Sequence, residues 1–483
     1  MLLSELFKNA PDVLVEQLSC DSRLPMKNCI YFCLKGIMYN GHEFIDEAIN
    51  NGATIIVYSE NIDTNRNAIF IKVNNVEDVL IQVSSRFYNY PAEKLESYIV
   101  AGTYGRSSIS TIIKELVSNY KKCAYIGIFG IDDNESTLLS SQPTLTILDN
   151  QKYLDKFVKN DIKACVLEAK TLSLAYKKLN MIKPKAFIYS STSFESTDYI
   201  ELGKGYNDTL KRYLYSLDDN TLVVLNRDDS TYEELYKASG ERKVSYGKNE
   251  NSDYVISGIN VFNDRTVFTL KHKRIYQIRS PFLGEVNVYN LTAALVSLAE
   301  NGYELDDLVT HINNLETIDG VYDRLKFDDY NIIVDCATTY DSYRKILDYA
   351  NNVTNETNRV VTLVSINSSD GEQRIKSNIQ IADNNSDLLI ITIDDTYEDD
   401  ADEQIKLAVS YISKCNYLVI NDREGAIEEA IELLNKGDTL LILGKGSENY
   451  EYQGLVKKSY YGDKNIAYKY MNKRIKEESL IIE

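Results

Sequence analysis

The sequence predicts an α/β protein of three successive blocks: a first block of short strands and helices, a central parallel sheet of the kind that carries a phosphate-binding loop (P-loop), and a Rossmann-like C-terminal block. Three observations lead there. Short apolar runs without polar alternation recur along the chain, as expected of parallel strands buried on both faces. Segments of helical periodicity separate them, which is the rhythm of doubly wound folds. Third, the stretch Ala101-Gly102-Thr103-Tyr104-Gly105-Arg106-Ser107-Ser108 follows a strand-like run, 98–100, and opens a helix-like one, 109–118. In that context glycines let backbone N–H groups approach phosphate oxygens, and the helix N-terminus adds a favourable field.

The elements follow in order. Residues 1–95 make the first block, with short strands at 30–32, 54–57 and 69–71 and short helical patterns between them. Pro91 and the polar run Ala92-Glu93-Lys94 mark a linker. Residues 96–320 make the second. Its runs 98–100, 125–129, 164–167, 186–189 and 222–225 read as buried parallel strands. Residues 254–261 and 266–270 read as an antiparallel pair turned at Asn263-Asp264, and a helix over 290–300 follows. Residues 321–483 repeat the theme, with strands at 332–334, 360–364, 388–393, 417–420 and 440–443. A helix over 423–436 places Ile427, Ala430, Ile431 and Leu434 on one face. The acidic cluster 394–403 reads as a solvated loop.

Bulk properties exclude several classes. With 483 residues, 44% apolar and 26% charged, the chain has room for two to four globular domains. A net charge of −19 disfavours nucleic acid and anionic membranes, but a local nest can still hold phosphate. No run of about 18 apolar residues predicts membrane insertion, and the N-terminus lacks a secretory pattern, so a cytoplasmic protein is expected. The seven cysteines are scattered and read as reduced, structural thiols. His42, His272 and His311 are far apart, which argues against a histidine metal site or a Ser-His-Asp triad.

Further motifs accompany the loop. Asp21-Ser22-Arg23, Gly36, Gly41-His42-Glu43-Phe44-Ile45 and Gly52-Ala53 lie in the first block. The second holds Ser141-Gln142-Pro143, Glu168, Thr171, Lys178, Leu210-Lys211-Arg212-Tyr213-Leu214 and Gly284-Glu285-Val286-Asn287-Val288-Tyr289-Asn290. The third holds Arg324, Asp335-Cys336-Ala337-Thr338, Asn421-Asp422-Arg423-Glu424-Gly425-Ala426-Ile427 and Gly444-Lys445-Gly446-Ser447-Glu448. In this order and spacing the motifs resemble the Mur ligase family over nearly the whole chain. Within it they resemble the branch that adds the third amino acid to UDP-N-acetylmuramoyl-dipeptide.

The resemblance implies a three-domain architecture: a uridine-nucleotide domain, a central P-loop domain for ATP and a C-terminal amino-acid domain. It implies an ATP-dependent ligation in which a carboxylate is phosphorylated and an amine then displaces phosphate. ATP contacts are implied for Gly102, Thr103, Gly105, Arg106, Ser107, Ser108, Asn287, Arg324 and Asp335. Mg²⁺ is implied at Ser107, Glu168 and Lys211, the last as the lysine that the family carbamoylates. Catalysis is implied for Arg106, Glu168 and Lys211. Substrate contacts are implied for Ser22, Ser141, Gln142, Thr171, Lys178, Gly444 and Glu448. Asp394 and Asp395 stand where relatives that select diaminopimelate carry Asp-Asn-Pro-Arg, and they offer charge to an amine.

Departures from the family pattern cluster at the chemistry. The loop Lys is Arg106 and the loop Asn is Tyr104. Arg keeps the charge but is wider and planar. Two motif histidines become Thr338 and Ser447. The segment that carries a third becomes roughly Glu195-Ser196-Thr197-Asp198-Tyr199-Ile200, with a one-residue insertion. Ser-Ser after Glu168 becomes Lys170-Thr171, and a glycine-rich run becomes Ile366-Asn367-Ser368-Ser369-Asp370-Gly371. Loss of one charge-stabilising donor costs about 10²–10³ in rate. Two readings stay open. One is a catalytically weakened or inactive relative that binds a UDP-sugar-peptide, with other cell-wall enzymes as its partners. The other is a working ligase for an amino acid other than diaminopimelate. Folate-adding relatives lack the first block, which argues against a third.

Overall fold

The computed structural model describes residues 1–36, 39–138, 145–192, 203, 205–367, 370–396, 401–454 and 456–482. Its strands form where apolar runs can be buried on both faces. Ile55, Ile56 and Val57 are all fully buried, as are Tyr98, Ile99 and Val100 and, further on, Ile332, Ile333 and Val334. Three main sheets result.

The first has four parallel strands in chain order, Gln17–Ser19, Cys29–Phe32, Ala53–Tyr58 and Ile69–Lys72. The helix Val76–Phe87 covers one face through Val76, Leu80 and Val83, and its start is capped by Asn75, whose Oδ1 accepts the Asp78 N–H at 2.9 Å. A short 3₁₀ turn, Pro91–Lys94, leads out of this unit.

The central sheet has eleven strands. The loop-bearing strand Glu96–Ala101 lies between Ala186–Tyr189 and Ala164–Ala169, parallel to both. Strand order reverses there, so the carboxyl ends of these strands open a crevice where doubly wound folds bind ligands. The register sets Val100 opposite Glu168 and Ala101 opposite Tyr189. The antiparallel pair lies at Tyr254–Val261 and Thr266–Lys271, and Ile275–Ser280 extends it. The helix predicted over 290–300 is Glu285–Ala299. It is apolar almost all round and packs in the core with the loop helix Arg106–Ser118, so periodicity gave little sign of its start.

The third sheet has six strands, in the order Asp323–Lys326, Asn331–Asp335, Thr439–Leu443, Val360–Ile366, Leu388–Ile393 and Asn416–Val419, with only the first antiparallel. The helix predicted over 423–436 spans Arg423–Glu432; Leu434 stays buried beyond its end. A buried ion pair ties it to the last helix, Asp463–Ile482: Arg423 Nε and Nη2 donate to the two Asp463 oxygens at 2.8 and 2.7 Å. Tyr460 also donates to Asp463, at 2.8 Å. Among the described residues no helix is long and apolar enough to cross a membrane.

One expectation is corrected here. The start of the acidic cluster is not solvated, because Asp394 and Asp395 close on Lys445 at 2.7 and 2.9 Å, and Lys445 is 2% exposed. Residues 397–400 lie outside the described residues. The histidines are structural: His42 Nε2 accepts the Ser59 N–H at 3.0 Å, His272 stacks on Tyr254, and His311 meets the edge of Tyr120.

Candidate active site

The loop leaves its strand through Gly102 and enters its helix through Gly105, at φ +125° and +79°. A side chain at Gly105 would come within 2.3 Å of Asn290 Oδ1, so the backbone must be bare there. Thr103 N–H donates to the Ser191 carbonyl at 2.9 Å, and Ser190 Oγ donates to the Ala101 carbonyl at 3.1 Å. These bonds stitch the loop to the carboxyl end of the neighbouring strand. Ser108 is buried on the helix.

Arg106 does not reach out of the loop. Its Nε donates to Glu168 Oε2 at 3.1 Å and its Nη1 to the Gly102 carbonyl at 2.8 Å. Ser107 Oγ donates to the same Glu168 oxygen at 3.0 Å, while the Tyr125 hydroxyl donates to Oε1. Burial and the Glu168 charge hold the Tyr125 phenol well above its ordinary value. Both carboxylate oxygens are therefore taken by protein donors. Tyr125 was not anticipated, since one tyrosine in an apolar strand carries no signal of where its hydroxyl goes.

Tyr104 leaves the loop toward the C-terminal unit. Its ring lies 4.2 Å from Lys345 Nζ, a cation–π contact. Burial, with the Asp335 carboxylate next, raises its phenol, and burial also lowers the Lys345 ammonium. A cavity of about 700 Å³ opens beside it, lined by Tyr104, Asp229, Asn290, Tyr322, Lys345 and Tyr349 among others. A second cavity of about 310 Å³ lies on the other side of the loop, between Arg106, Glu168 and the C-terminal Glu448. Four cations line it, Arg106, Lys170, Lys178 and Lys457, against the carboxylates Glu168 and Glu448. That balance suits an anionic ligand on an otherwise acidic protein. Burial lowers the Lys178 ammonium and pushes the Glu448 carboxyl up to about 7.

Other predicted residues stand elsewhere. Lys211 is not brought to this cluster. Its Nζ is held by Glu234 at 2.6 Å and Asp208 at 2.9 Å, and these bonds raise its pKa. Lys211 lines neither cavity. Asn287 is buried, donating to the Leu283 carbonyl at 2.8 Å and accepting from Asn290 at 2.9 Å, so it supports Asn290, which lines the larger cavity. Asn290 closes the same sequence motif as Asn287, and the three-residue spacing on one helix sets the two side by side. Arg324 donates to Asn331 at 2.9 Å; Tyr322, two residues before it, lines the larger cavity instead. Asp335 is buried and accepts the Tyr322 N–H at 2.8 Å. Asp394 and Asp395 are engaged by Lys445 and are not presented to an amine. Gly444, at φ +117°, lets the backbone pass Ser365, whose Oγ would lie 2.0 Å from an added Cβ. Ser22 is buried and donates to Glu47. Thr171 is buried at the start of the short helix Thr171–Ala175. Ser141, Gln142 and 195–200 lie outside the described residues.

The loop, its bare glycines and the larger cavity fit a nucleotide. The donor set does not fit Mg²⁺ in this arrangement. Both Glu168 oxygens already accept protein donors, Arg106 stands on the oxygen it shares with Ser107, and Lys211 is paired elsewhere.

Known proteins share this architecture. Residues 14–88 match the model for the Mur ligase family, catalytic domain; 100–298 match the Mur ligase middle domain; 322–446 match the Mur ligase, glutamate ligase domain. A UDP-N-acetylmuramyl-tripeptide synthetase 2 of Oceanobacillus iheyensis is 30% identical over 448 residues, 90% of each chain. A solved UDP-N-acetylmuramoyl-L-alanyl-D-glutamate–2,6-diaminopimelate ligase superposes with a TM-score of 0.72 at 23% identity, covering 98% of this chain and 99% of that one. The MurF ligase of Thermotoga maritima, solved in complex with ADP, superposes at 0.63 with 14% identity, covering 97% of this chain and 100% of that one.

Proposed function

The chain belongs to the Mur ligase family, whose members act in peptidoglycan precursor synthesis, and from that premise we propose a weakened or inactive relative that still binds ATP and a UDP-MurNAc-dipeptide. The observation that carries this reading is the engagement of both Glu168 oxygens by Arg106, Ser107 and Tyr125. A ligase of this kind works mainly by positioning and by neutralising charge on a moving phosphoryl group. Arg106 faces Glu168 and so cancels charge within the protein. Lys211, paired with Glu234 and Asp208, is protonated, whereas a carbamate forms only on a neutral amine.

Binding is supported separately. Gly102, Gly105 and the following helix N-terminus suit polyphosphate, and the larger cavity has room for a nucleoside; the ADP complex of the T. maritima relative supports the same choice. The cation-lined cavity suits the anionic sugar-peptide, with Lys178 on its wall. In this reading the protein works in the cytoplasm beside other cell-wall enzymes, as a partner of an intact ligase.

A second reading is favoured by Glu448, which faces Arg106 across the smaller cavity on a loop braced by Lys445. It is a working ligase that adds an amino acid other than diaminopimelate, since Asp394-Asp395-Thr396-Tyr397 puts a Tyr where relatives that select diaminopimelate carry a carboxylate-gripping Arg. Phosphate release from ATP with UDP-MurNAc-L-Ala-D-Glu, against a panel of amino acids, separates the two. The first expects binding of both ligands by calorimetry and no release above a blank. Release that requires both the dipeptide and one amino acid overturns it in favour of the second.

A further inference from the structure

We infer that Arg106 is the resident cation of this loop, and that the protein binds a nucleoside di- or triphosphate without a divalent metal ion. The inference rests on the nucleotide-binding reading above. Phosphate-binding loops generally hold Mg²⁺ between the loop hydroxyl and a carboxylate on a neighbouring strand. Here those groups are Ser107 and Glu168, and they are bonded to each other at 3.0 Å. Arg106 Nε donates to the same oxygen at 3.1 Å, and Tyr125 takes the other. Magnesium needs oxygens at about 2.0–2.1 Å in a near-ideal octahedron. A cationic guanidinium on the shared oxygen repels the ion and occupies its approach.

The pair is also hard to open. The Arg106 and Glu168 side chains are only 14% and 5% exposed, and separating charges there leaves each uncompensated. A guanidinium has five N–H donors in a planar fork. One goes to Glu168 and one to the Gly102 carbonyl; among the described residues the other three have no acceptor. Arginine can therefore hold a carboxylate on one edge and offer another edge to phosphate, which a lysine ammonium does less well. Arg106 lines the smaller cavity with Lys170, Lys178 and Lys457, so positive charge beyond the neutralised pair is already in place.

The test is calorimetric titration of ADP and of a non-hydrolysable ATP analogue into the full chain, in excess Mg²⁺ and in EDTA. The parent protein is expected to bind with a Kd that agrees within about threefold between the two buffers. Arg106→Lys, which removes the guanidinium from the oxygen shared with Ser107, is expected to bind at least about tenfold tighter in Mg²⁺ than in EDTA. Glu168→Gln is expected to bind alike in both, and it carries the test with the parent if circular dichroism shows Arg106→Lys unfolded. A parent affinity that drops more than about tenfold in EDTA overturns the inference and leaves the nucleotide reading standing. No binding by any variant in either buffer overturns both.

Discussion

Asp335→Asn is the perturbation with the most definite sign. Asp335 is 3% exposed and its carboxylate accepts backbone N–H groups of Tyr322, at 2.8 Å, and Ala337. No cation pairs with it among the described residues, and the neighbours that feel its charge are Tyr104, Tyr322, Cys336 and Tyr343. Burial outweighs the two backbone donors and raises the carboxyl from 3.8 to about 7. Between those values the unfolded chain has released the proton and the folded chain keeps it. The folded state binds more protons, so this group's contribution to stability falls as pH rises through the window. From pH 5.5 to pH 8 the loss is about 2 kcal/mol. Asparagine keeps the shape and one acceptor and cannot ionise. Every other titrating group is common to both proteins, so the difference between them isolates Asp335. Amide hydrogen exchange on peptides spanning 320–337, corrected for intrinsic rates, reads the local opening free energy. The variant should gain on the parent by about 2 kcal/mol between pH 5.5 and 8. A difference that stays flat over that range refutes the reasoning.

Other expectations follow from the same geometry. Asp463→Ala leaves the Arg423 guanidinium buried without its partner and should cost about 3–5 kcal/mol, seen as a lower melting temperature by circular dichroism; no change would mean the pair is not formed. Gly105→Ala places a Cβ against Asn290 at positive φ and should weaken ADP binding by about tenfold, while Gly105→Ala with Asn290→Ala recovers part of it. Lys211→Ala should leave ADP binding unchanged in calorimetry, since Lys211 contacts neither cavity; a loss of turnover in the phosphate assay would instead favour the working ligase.

Much of the frame was legible because parallel strands advertise themselves. The run 388–393 was predicted with the bounds the strand has, and all but its ends are buried. Lys243–Gly247 was missed because Lys, Ser and Tyr break its apolar run, although it pairs in the sheet interior with Leu222–Asn226. The site was legible in position but not in wiring. The loop and Glu168, paired on the sequence side only by the resemblance, meet because strand register brings Val100 beside Glu168. That Arg106 turns back onto Glu168 depends on a carboxylate 62 residues away, which no local pattern encodes. Asp394 and Asp395 read as solvent-facing for the same reason, since their counterion lies about fifty residues further along. Lys211 sits on a regular helix, and its partner Glu234 comes from another.

The contact between Tyr104 and Lys345 has a mechanical consequence. It links the crest of the loop to a helix of the C-terminal unit, Tyr340–Val353, so swinging that unit away costs the contact, about 0.5–2 kcal/mol. Hinge motion and the shape of the anion cradle are thereby geared together. Whatever fills the larger hollow meets walls from both units, Tyr104 and Asn290 on one bank and Lys345 and Tyr349 on the other.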